Sequence, residues 1–292
     1  MPTLGVWRIF WPVFAYIISM TYMLTKDADV IYARYATYPL FVGTVLKMVF
    51  CKPMVVSIHG GDIRHGRPFK WLINRCLRFA DAVVCYDNVG HINELKRRGI
   101  EPTVIPNGID TRLFKPHKSP SKINKIIYVG GIREIKGFND IVALSSDGGF
   151  EGRGDIEFNI YGTGSIKGDE HTRFHEKVQH DKMPGIMEGG QLFILPSYAE
   201  GVPGAMLEAM SSGMYVIASD LDFTRTVIES KFLFKAGDIK KMAELVVKFC
   251  DSKREFFGDQ NKKNREIAVK RYSINEVGVK WKELILGLSR RD

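Results

Sequence analysis

Residues 196–220 read PSYAEGVPGAMLEAMSSGMYVIASD, a stretch that places two glutamates around a glycine-proline turn. Seven residues separate Glu200 from Glu208, and the turn GVPG at 201–204 lies between them. Glycine lets backbone approach a ligand closely, proline stiffens a turn, and a helix N-terminus offers N–H groups to anions. Two interpretations follow: a pocket for a ligand with phosphates and hydroxyls, or a solvated loop whose second glutamate only favours the helix dipole.

The rest of the chain alternates short β-branched runs with helical patterns, which is typical of parallel α/β units. Strands are predicted near 30–34, 54–59, 82–86, 103–106, 125–130, 156–161, 172–175, 192–196, 214–218 and 232–235. Helices are predicted at 38–50, 68–80, 88–98, 137–146, 204–212, 239–251, 259–271 and 274–288. A proline-containing polar segment at 115–121 is typical of a linker. We therefore expect Rossmann-like domains at 1–118 and 119–273, and a C-terminal helix in 274–292 that packs back on the first domain.

Basic residues are concentrated in the first of these domains. Residues 1–118 hold 16 Lys and Arg against 8 Asp and Glu, whereas residues 119–292 hold 26 against 25. Such a field favours a membrane surface or a phosphorylated substrate, or it is a plain solvated surface. Nucleic acid is not an expected partner, because no nucleic-acid-binding motif accompanies the charge.

The cysteines and the N-terminal segment indicate the cellular compartment and the relation to a membrane. The four cysteines show no CxxC and no metal-ligand spacing, which favours a reducing compartment over disulfides or zinc. Residues 9–25 are uncharged over 17 positions, fewer than the roughly 20 that span a bilayer. They also lack a signal-peptide cleavage site. This pattern predicts a buried or interfacial helix, and a cytoplasmic protein that is peripheral at the inner membrane face.

Three further glycine turns follow predicted strands, where ligands bind in parallel sheets. None has the G-x-G-x-x-G or GxxxxGK[ST] spacing, so neither NAD nor P-loop chemistry is expected. Past the second turn, Arg133 and Lys136 either supply positive charge for a diphosphate or form a solvated basic turn. The turns are His59-Gly60-Gly61-Asp62, Gly130-Gly131 and Gly162-Thr163-Gly164-Ser165.

Four segments resemble the family 4 retaining glycosyltransferases, which have the GT-B fold. The stretch at 196–220 resembles their E-x7-E donor motif, and YVGGIREIKG at 128–137 resembles their phosphate loop. VIPNGIDTRLFKP at 104–116 is similar to their interdomain segment, and VVSIHGGDI at 55–63 to their acceptor-side turn. The resemblance implies an α/β protein of two Rossmann-like domains facing a cleft, with a nucleotide-diphosphate sugar as donor and no metal or other cofactor.

The resemblance also implies catalytic roles. Glu200 would hold the hydroxyls of the donor sugar, and Lys136 would neutralise the leaving diphosphate. His59 would lie near the transferred sugar. No enzymic nucleophile is implied: the acceptor attacks the front face within an ion pair, and the leaving phosphate helps to take the acceptor proton. Catalysis would then rest mostly on electrostatic preorganisation and orientation.

Substrate binding would involve a wider set of residues. Glu208 would hold the ribose hydroxyls of the nucleotide, and the amides of Gly201, Val202 and Gly204 would face the sugar and the diphosphate. The full substrate-binding set implied by the resemblance is Gly130, Gly131, Arg133, Lys136, Gly162, Gly164, Glu200, Gly201, Val202, Gly204 and Glu208.

The sequence departs from that family in three ways. Gly131 stands where the family often has arginine, with Arg133 as an alternative source of charge. Asp220-Leu221-Asp222 spells D-x-D, but no metal site is expected there. The first domain is expected to be incomplete, because no strand and glycine-rich loop precede VIYAR at 30–34. A truncation, a separate subunit that supplies the missing part, and degeneration would each explain this.

The resemblance, together with the turns at the strand ends, implies a retaining glycosyltransferase. It would move a sugar from a UDP- or GDP-linked donor to a glycan or lipid-linked acceptor. The alternative is a non-catalytic sugar-nucleotide-binding protein, or a subunit that depends on a partner.

Overall fold

Two parallel sheets with helices between their strands form the fold. The computed structural model describes residues 18–26, 28–59, 70–86, 89–116, 123–147, 150, 155–162, 168, 171–251 and 259–290. The chain forms two compact units, Met1–Pro106 with Gly278–Asp292, and Asn107–Val277.

The first unit contains a four-stranded parallel sheet of order β1-β2-β3-β4. The β2 run MVVSI is buried at every position, as expected for a central strand covered on both faces. Its elements are residues 18–25 (α1), β1 (Ile31–Arg34), α2 (Tyr38–Phe50), β2 (Met54–Ile58), α3 (Lys70–Phe79), β3 (Ala82–Cys85), α4 (Val89–Arg97) and β4 (Thr103–Val104).

The second unit contains a six-stranded parallel sheet of order β10-β9-β8-β5-β6-β7. Its strands are β5 (Lys125–Val129), β6 (Glu157–Tyr161), β7 (Thr172–His175), β8 (Leu192–Leu195), β9 (Tyr215–Ser219) and β10 (Leu233–Phe234). Its helices are α5 (Phe138–Asp147), α6 (Met183–Gly189), α7 (Gly204–Ser211), α8 (Ile239–Asp251) and α9 (Gln260–Tyr272), and α10 (Ile274–Ser289) begins here.

The strand order of the second unit reverses between β5 and β8. From β5 the chain continues to β6 and β7 on one side, and then returns to build β8, β9 and β10 on the other. The switch point of this sheet therefore lies between β5 and β8. Ligands in open α/β sheets bind at such a switch point. This topology directs attention to residues 130–137 and 196–203.

Most predicted elements are found within a residue or two of their expected bounds, with two differences. Strand β4 covers only Thr103–Val104, not 103–106. Helix α6 was not predicted, because Pro184 and Gly185 are typical of a turn. Pro184 lies in the first turn of α6, where a missing N–H costs no intrahelical hydrogen bond.

The compact units also divide earlier than the predicted boundary at 118. Phe114 is buried in the core of the second unit, and Arg265 Nη1 donates to the Phe114 carbonyl at 2.7 Å. The segment after Pro106 thus packs as part of the second unit, and the division at the C-terminal end falls after Val277. Beyond it, the Trp281 ring contacts Tyr32 of the first unit at 5.4 Å.

The N-terminal helix predicted at 9–25 is described only from residue 18 onward, and the rest lies outside the described residues. Within the described ranges, no helix has both the length and the apolar character needed to cross a bilayer.

Candidate functional site

Lys136 and Glu200 meet at the switch point of the second sheet. Lys136 closes a 3-10 turn, Glu134–Lys136, that follows β5, and Glu200 lies in the loop after β8. Lys136 Nζ donates to both carboxylate oxygens of Glu200, at 2.7 and 2.8 Å. The Glu200 side chain is 9% exposed and that of Lys136 is 27% exposed, so the ammonium is the more accessible partner. The structure brings together two residues that the sequence separates by 64 positions.

Further contacts join these two loops or hold Glu200 within the loop after β8. The Tyr198 N–H donates to the Ile135 carbonyl at 2.9 Å, and Ser197 Oγ donates to Glu200 Oε1 at 2.7 Å. A hydrogen bond to Asp140 raises the pKa of the Tyr198 hydroxyl. Sequence reasoning missed Ser197, Tyr198 and Asp140. Tyr198 contacts Ile135 and Asp140, which lie far from it in the chain, and no local pattern signals such contacts.

Tyr128 lies beside the Lys136–Glu200 pair, and the charge of Glu200 affects the pKa of its hydroxyl. Its hydroxyl donates to the Lys136 carbonyl at 3.3 Å. Burial of the ring, together with the negative charge of Glu200, raises the pKa of Tyr128 to about 12, while Arg133 acts in the opposite direction. Arg133 itself is exposed, so its guanidinium is available beside the site.

Two glycines near the pair are required by backbone geometry. Gly137 has φ +67°, and a Cβ there would lie 2.2 Å from the Pro196 carbonyl oxygen. Gly162 has φ +98°, and its Cβ would lie 2.3 Å from the Gly130 carbonyl oxygen. The loops after β5, β6 and β8 thus touch backbone to backbone. Gly164 lies outside the described residues.

Gly201 and Gly204 differ from these glycines, because an added Cβ would meet nothing within 4 Å at either position. Gly204 is exposed and begins α7, with Pro203 as the residue before it and no side-chain cap on the first turn. Val202 is half-buried. The backbone therefore faces open space where the helix presents its N–H groups, as the sequence predicts for an anion site.

Glu208 lies one turn inside α7 and is 12% exposed. Its Oε1 accepts a hydrogen bond from His180 Nε2 at 2.9 Å. His180 begins a short 3-10 turn after β7 and was not singled out from the sequence. Glu200 and Glu208 thus have different partners, a lysine for the first and a histidine for the second.

Gly130 and Gly131 lie at the carboxyl end of β5. A Cβ on Gly130 would meet the Tyr128 hydroxyl at 2.3 Å, whereas on Gly131 it would meet only Arg133 Nε at 3.8 Å. The space above Gly131 therefore opens toward the Arg133 guanidinium.

His59 belongs to the first unit and is described there by itself. Its Nε2 lies 3.1 Å from Ser57 Oγ, and its Nδ1 makes a close contact with the Tyr86 hydroxyl. Ser57 Oγ also lies 2.8 Å from the Tyr32 hydroxyl, and the Tyr35 ring centroid is 4.4 Å from that of His59. A network at the carboxyl ends of β1, β2 and β3 thus orients the imidazole.

The D-x-D string pairs with an arginine. Arg225 Nε donates to Asp220 Oδ1 at 2.6 Å, and Arg225 Nη1 donates to Asp222 Oδ1 at 3.3 Å. Both carboxylates are thus satisfied by one exposed guanidinium.

The second unit therefore combines groups with complementary chemistry. A lysine, an arginine and a helix N-terminus supply positive charge and N–H donors for an anion. Two largely buried carboxylates supply acceptors for hydroxyl groups. Such a set fits a ligand with both phosphates and sugar hydroxyls.

Comparison with known families matches both parts of the chain. A model described as "Glycosyltransferase Family 4" matches residues 2–113, and one described as "Glycosyl transferases group 1" matches residues 123–252.

Two curated relatives align over most of the chain. The UDP-Gal:alpha-D-GlcNAc-diphosphoundecaprenol alpha-1,3-galactosyltransferase of Escherichia coli is 23% identical, over 81% of this chain and 70% of its own length. The putative teichuronic acid biosynthesis glycosyltransferase TuaC of Bacillus subtilis is 23% identical, over 76% of this chain and 61% of its own length.

Solved structures share the fold. Sucrose-phosphate synthase from Thermosynechococcus elongatus superimposes with a TM-score of 0.78 at 17% identity, covering 100% of this chain and 81% of that one. HepE of Anabaena in complex with UDP gives a TM-score of 0.73 at 19% identity, covering 93% and 82%. The family models and these folds together show that the chain belongs to the family 4 glycosyltransferases of GT-B fold.

Proposed function

We propose that the protein transfers a sugar from a nucleotide-diphosphate sugar to an acceptor hydroxyl, with retention of anomeric configuration. The observation that carries this proposal is the Lys136–Glu200 pair at the switch point, beside the open N-terminus of α7. The names of two relatives support the donor class, since one uses UDP-Gal and another GDP-mannose.

Each group has a task in this proposal. Lys136, Arg133 and the α7 amides bind the diphosphate, because cations and N–H groups stabilise its charge. Glu208 accepts hydrogen bonds from the ribose, and Glu200 from the donor sugar. Lys136 is both a diphosphate ligand and the group that holds Glu200 in place.

The reaction breaks the bond between the anomeric carbon and a phosphate oxygen, and forms one from that carbon to the acceptor oxygen. The acceptor proton passes to the leaving phosphate. Charge develops on the diphosphate as the bond breaks, so preorganised cations stabilise the transition state more than the ground state.

A lipid-linked or polysaccharide acceptor fits the surface of the first unit. Relatives are named for diphosphoundecaprenol, diacylglycerol and teichuronic acid substrates or products. Helix α2 exposes Met48 and Val49, and α3 exposes Trp71 beside Arg75. An apolar surface with a tryptophan and basic neighbours suits the headgroup region of an anionic membrane. The proposed location is therefore the cytoplasmic face of such a membrane.

This surface is expected to bind vesicles that contain phosphatidylglycerol, and not vesicles of phosphatidylcholine alone. Arg75→Glu reverses a charge on α3 and should lower the bound fraction about tenfold. The matched control is Lys240→Glu, which reverses an exposed charge on α8 of the second unit. Flotation at low and high salt measures the effect. Equal binding of both variants would exclude the α2–α3 surface as the membrane contact.

A second candidate is a sugar-nucleotide-binding protein that turns over only with a partner subunit. It is favoured by the described sheet of the first unit, which has four strands against six in the second. Among relatives and neighbours, one is named as a subunit and one as a GtfA/B complex.

Labelled UDP- and GDP-sugars distinguish the two functions. The full chain is incubated with each donor, with and without a membrane extract that supplies acceptors. Transfer or hydrolysis by the chain alone supports the enzyme, whereas binding without turnover supports the partner-dependent protein. If no sugar nucleotide is bound or consumed, both functions are wrong.

A further inference from the structure

We propose that His180 is a positioning residue that fixes the Glu208 carboxylate for the ribose of the donor. The inference rests on the proposed function, and it adds a residue outside the motifs of the sequence. Its basis is the 2.9 Å contact between His180 Nε2 and Glu208 Oε1.

Few other side-chain contacts fix the orientation of the Glu208 carboxylate. Within the described part of the chain, His180 provides the one side-chain hydrogen bond to its carboxylate. Glu200, in contrast, is held by Lys136 and Ser197. A glutamate side chain loses rotamer entropy when it is ordered. A bond that orders it before the nucleotide arrives removes that cost from binding.

The contact with His180 leaves the Glu208 carboxylate able to accept further hydrogen bonds. A carboxylate has about four acceptor positions on two oxygens, and His180 occupies one of them on Oε1. The remaining positions can accept the two ribose hydroxyls. Glu208 is 12% exposed and His180 71% exposed, so the histidine approaches from the solvent side.

The imidazole is itself supported. Its ring packs edge-on against Phe114 at 5.8 Å between centroids, and Phe114 is buried in the core of the second unit. His180 also begins the 3-10 turn His180–Lys182, which leads into α6. The ring is therefore placed by the backbone on one side and by a core residue on the other, with Nε2 directed at Glu208.

The test compares His180→Ala, His180→Gln and the control Lys182→Ala, using UDP and GDP as probes in calorimetric titrations of the full chain. His180→Ala should weaken binding of the preferred nucleotide about tenfold, the effect of losing one charge-assisted hydrogen bond. Glutamine keeps an N–H donor and should restore the affinity to within about threefold. Lys182 is exposed on the same turn, so its variant should bind like the unaltered chain.

A double-mutant cycle with Glu208→Ala separates positioning from direct contact. If His180 acts through Glu208, His180→Ala should have no further effect in the Glu208→Ala background. Additive losses would show that His180 contacts the nucleotide directly and would overturn the inference. Unchanged affinity of His180→Ala, with a loss in Glu208→Ala, would also overturn it but leave the proposed function intact. If the unaltered chain binds neither nucleotide, the inference and the proposed function both fail.

Discussion

Replacing Lys136 with alanine is expected to lower turnover of the donor sugar roughly a hundredfold to a thousandfold, the usual effect of removing one preorganised charge from a transition state. The variant loses the ammonium that is proposed to face the leaving diphosphate. It also leaves the Glu200 carboxylate, 9% exposed, without its cation. The measurement is the hydrolysis or transfer rate with the donor that the unaltered chain prefers.

In this variant, a decrease in folding stability must be distinguished from a decrease in catalytic turnover. Leaving the largely buried Glu200 carboxylate without the Lys136 ammonium should cost about 1–3 kcal/mol in the free energy of unfolding. The double variant Lys136→Met with Glu200→Gln replaces the pair by neutral groups of similar shape and should recover most of that stability. It should not recover turnover. Lys125→Ala removes an exposed lysine at the start of β5 and serves as the control. Normal turnover in Lys136→Ala would contradict the assigned role.

Replacing Gly137 with alanine is expected to destabilise the second unit by about 3–5 kcal/mol, and to lower its melting temperature by roughly 6–15 °C. The backbone at Gly137 has φ +67°, which strains any residue with a side chain. The added Cβ would also lie 2.2 Å from the Pro196 carbonyl oxygen, and neither backbone can move without separating the two loops. Circular dichroism of the full chain during heating measures the change.

The matched control for this variant is Gly204→Ala. The chemical change is the same, but nothing lies within 4 Å of the added Cβ, and alanine suits the first turn of α7. Its melting temperature should stay within about 2 °C of the unaltered chain. Its affinity for a sugar nucleotide should fall, because the methyl group occupies the space proposed for the ligand. Equal melting temperatures for the two variants would show that the loop contact at Gly137 is not rigid.

The strands and the glycine-proline turn of the candidate site could be predicted because their signals are local. The run MYVIA at 214–218 is apolar throughout and predicts a central strand, and β9 is buried at every position. The turn at 201–204 could also be predicted, because glycine and proline act on the residues around them. The predicted α/β class, GT-B fold and family are confirmed by the two sheets and the comparisons.

The hydrogen-bond and packing partners of the site residues could not be predicted from the sequence, because they depend on which segments the fold brings together. The sequence separates His180 from Glu208 by 28 positions, and no pattern links a residue after β7 to one in α7. The backbone contact between Gly137 and Pro196 likewise depends on the order of β5 and β8 in the sheet. The second compact unit begins earlier than the predicted boundary at 118 for the same reason. The core contact of Phe114 is made with residues far along the chain.

The central claim is that Glu208 and the start of α7 hold the nucleotide of a sugar donor. Calorimetric titration of the unaltered chain and of Glu208→Ala with UDP- and GDP-sugars tests it most directly. We expect one donor class to bind the unaltered chain, and Glu208→Ala to bind it at least about thirtyfold more weakly, since two hydrogen bonds from ribose hydroxyls to a carboxylate are lost. The melting temperature of the variant should stay close to that of the unaltered chain. Equal affinity of the two proteins for every sugar nucleotide would contradict the claim.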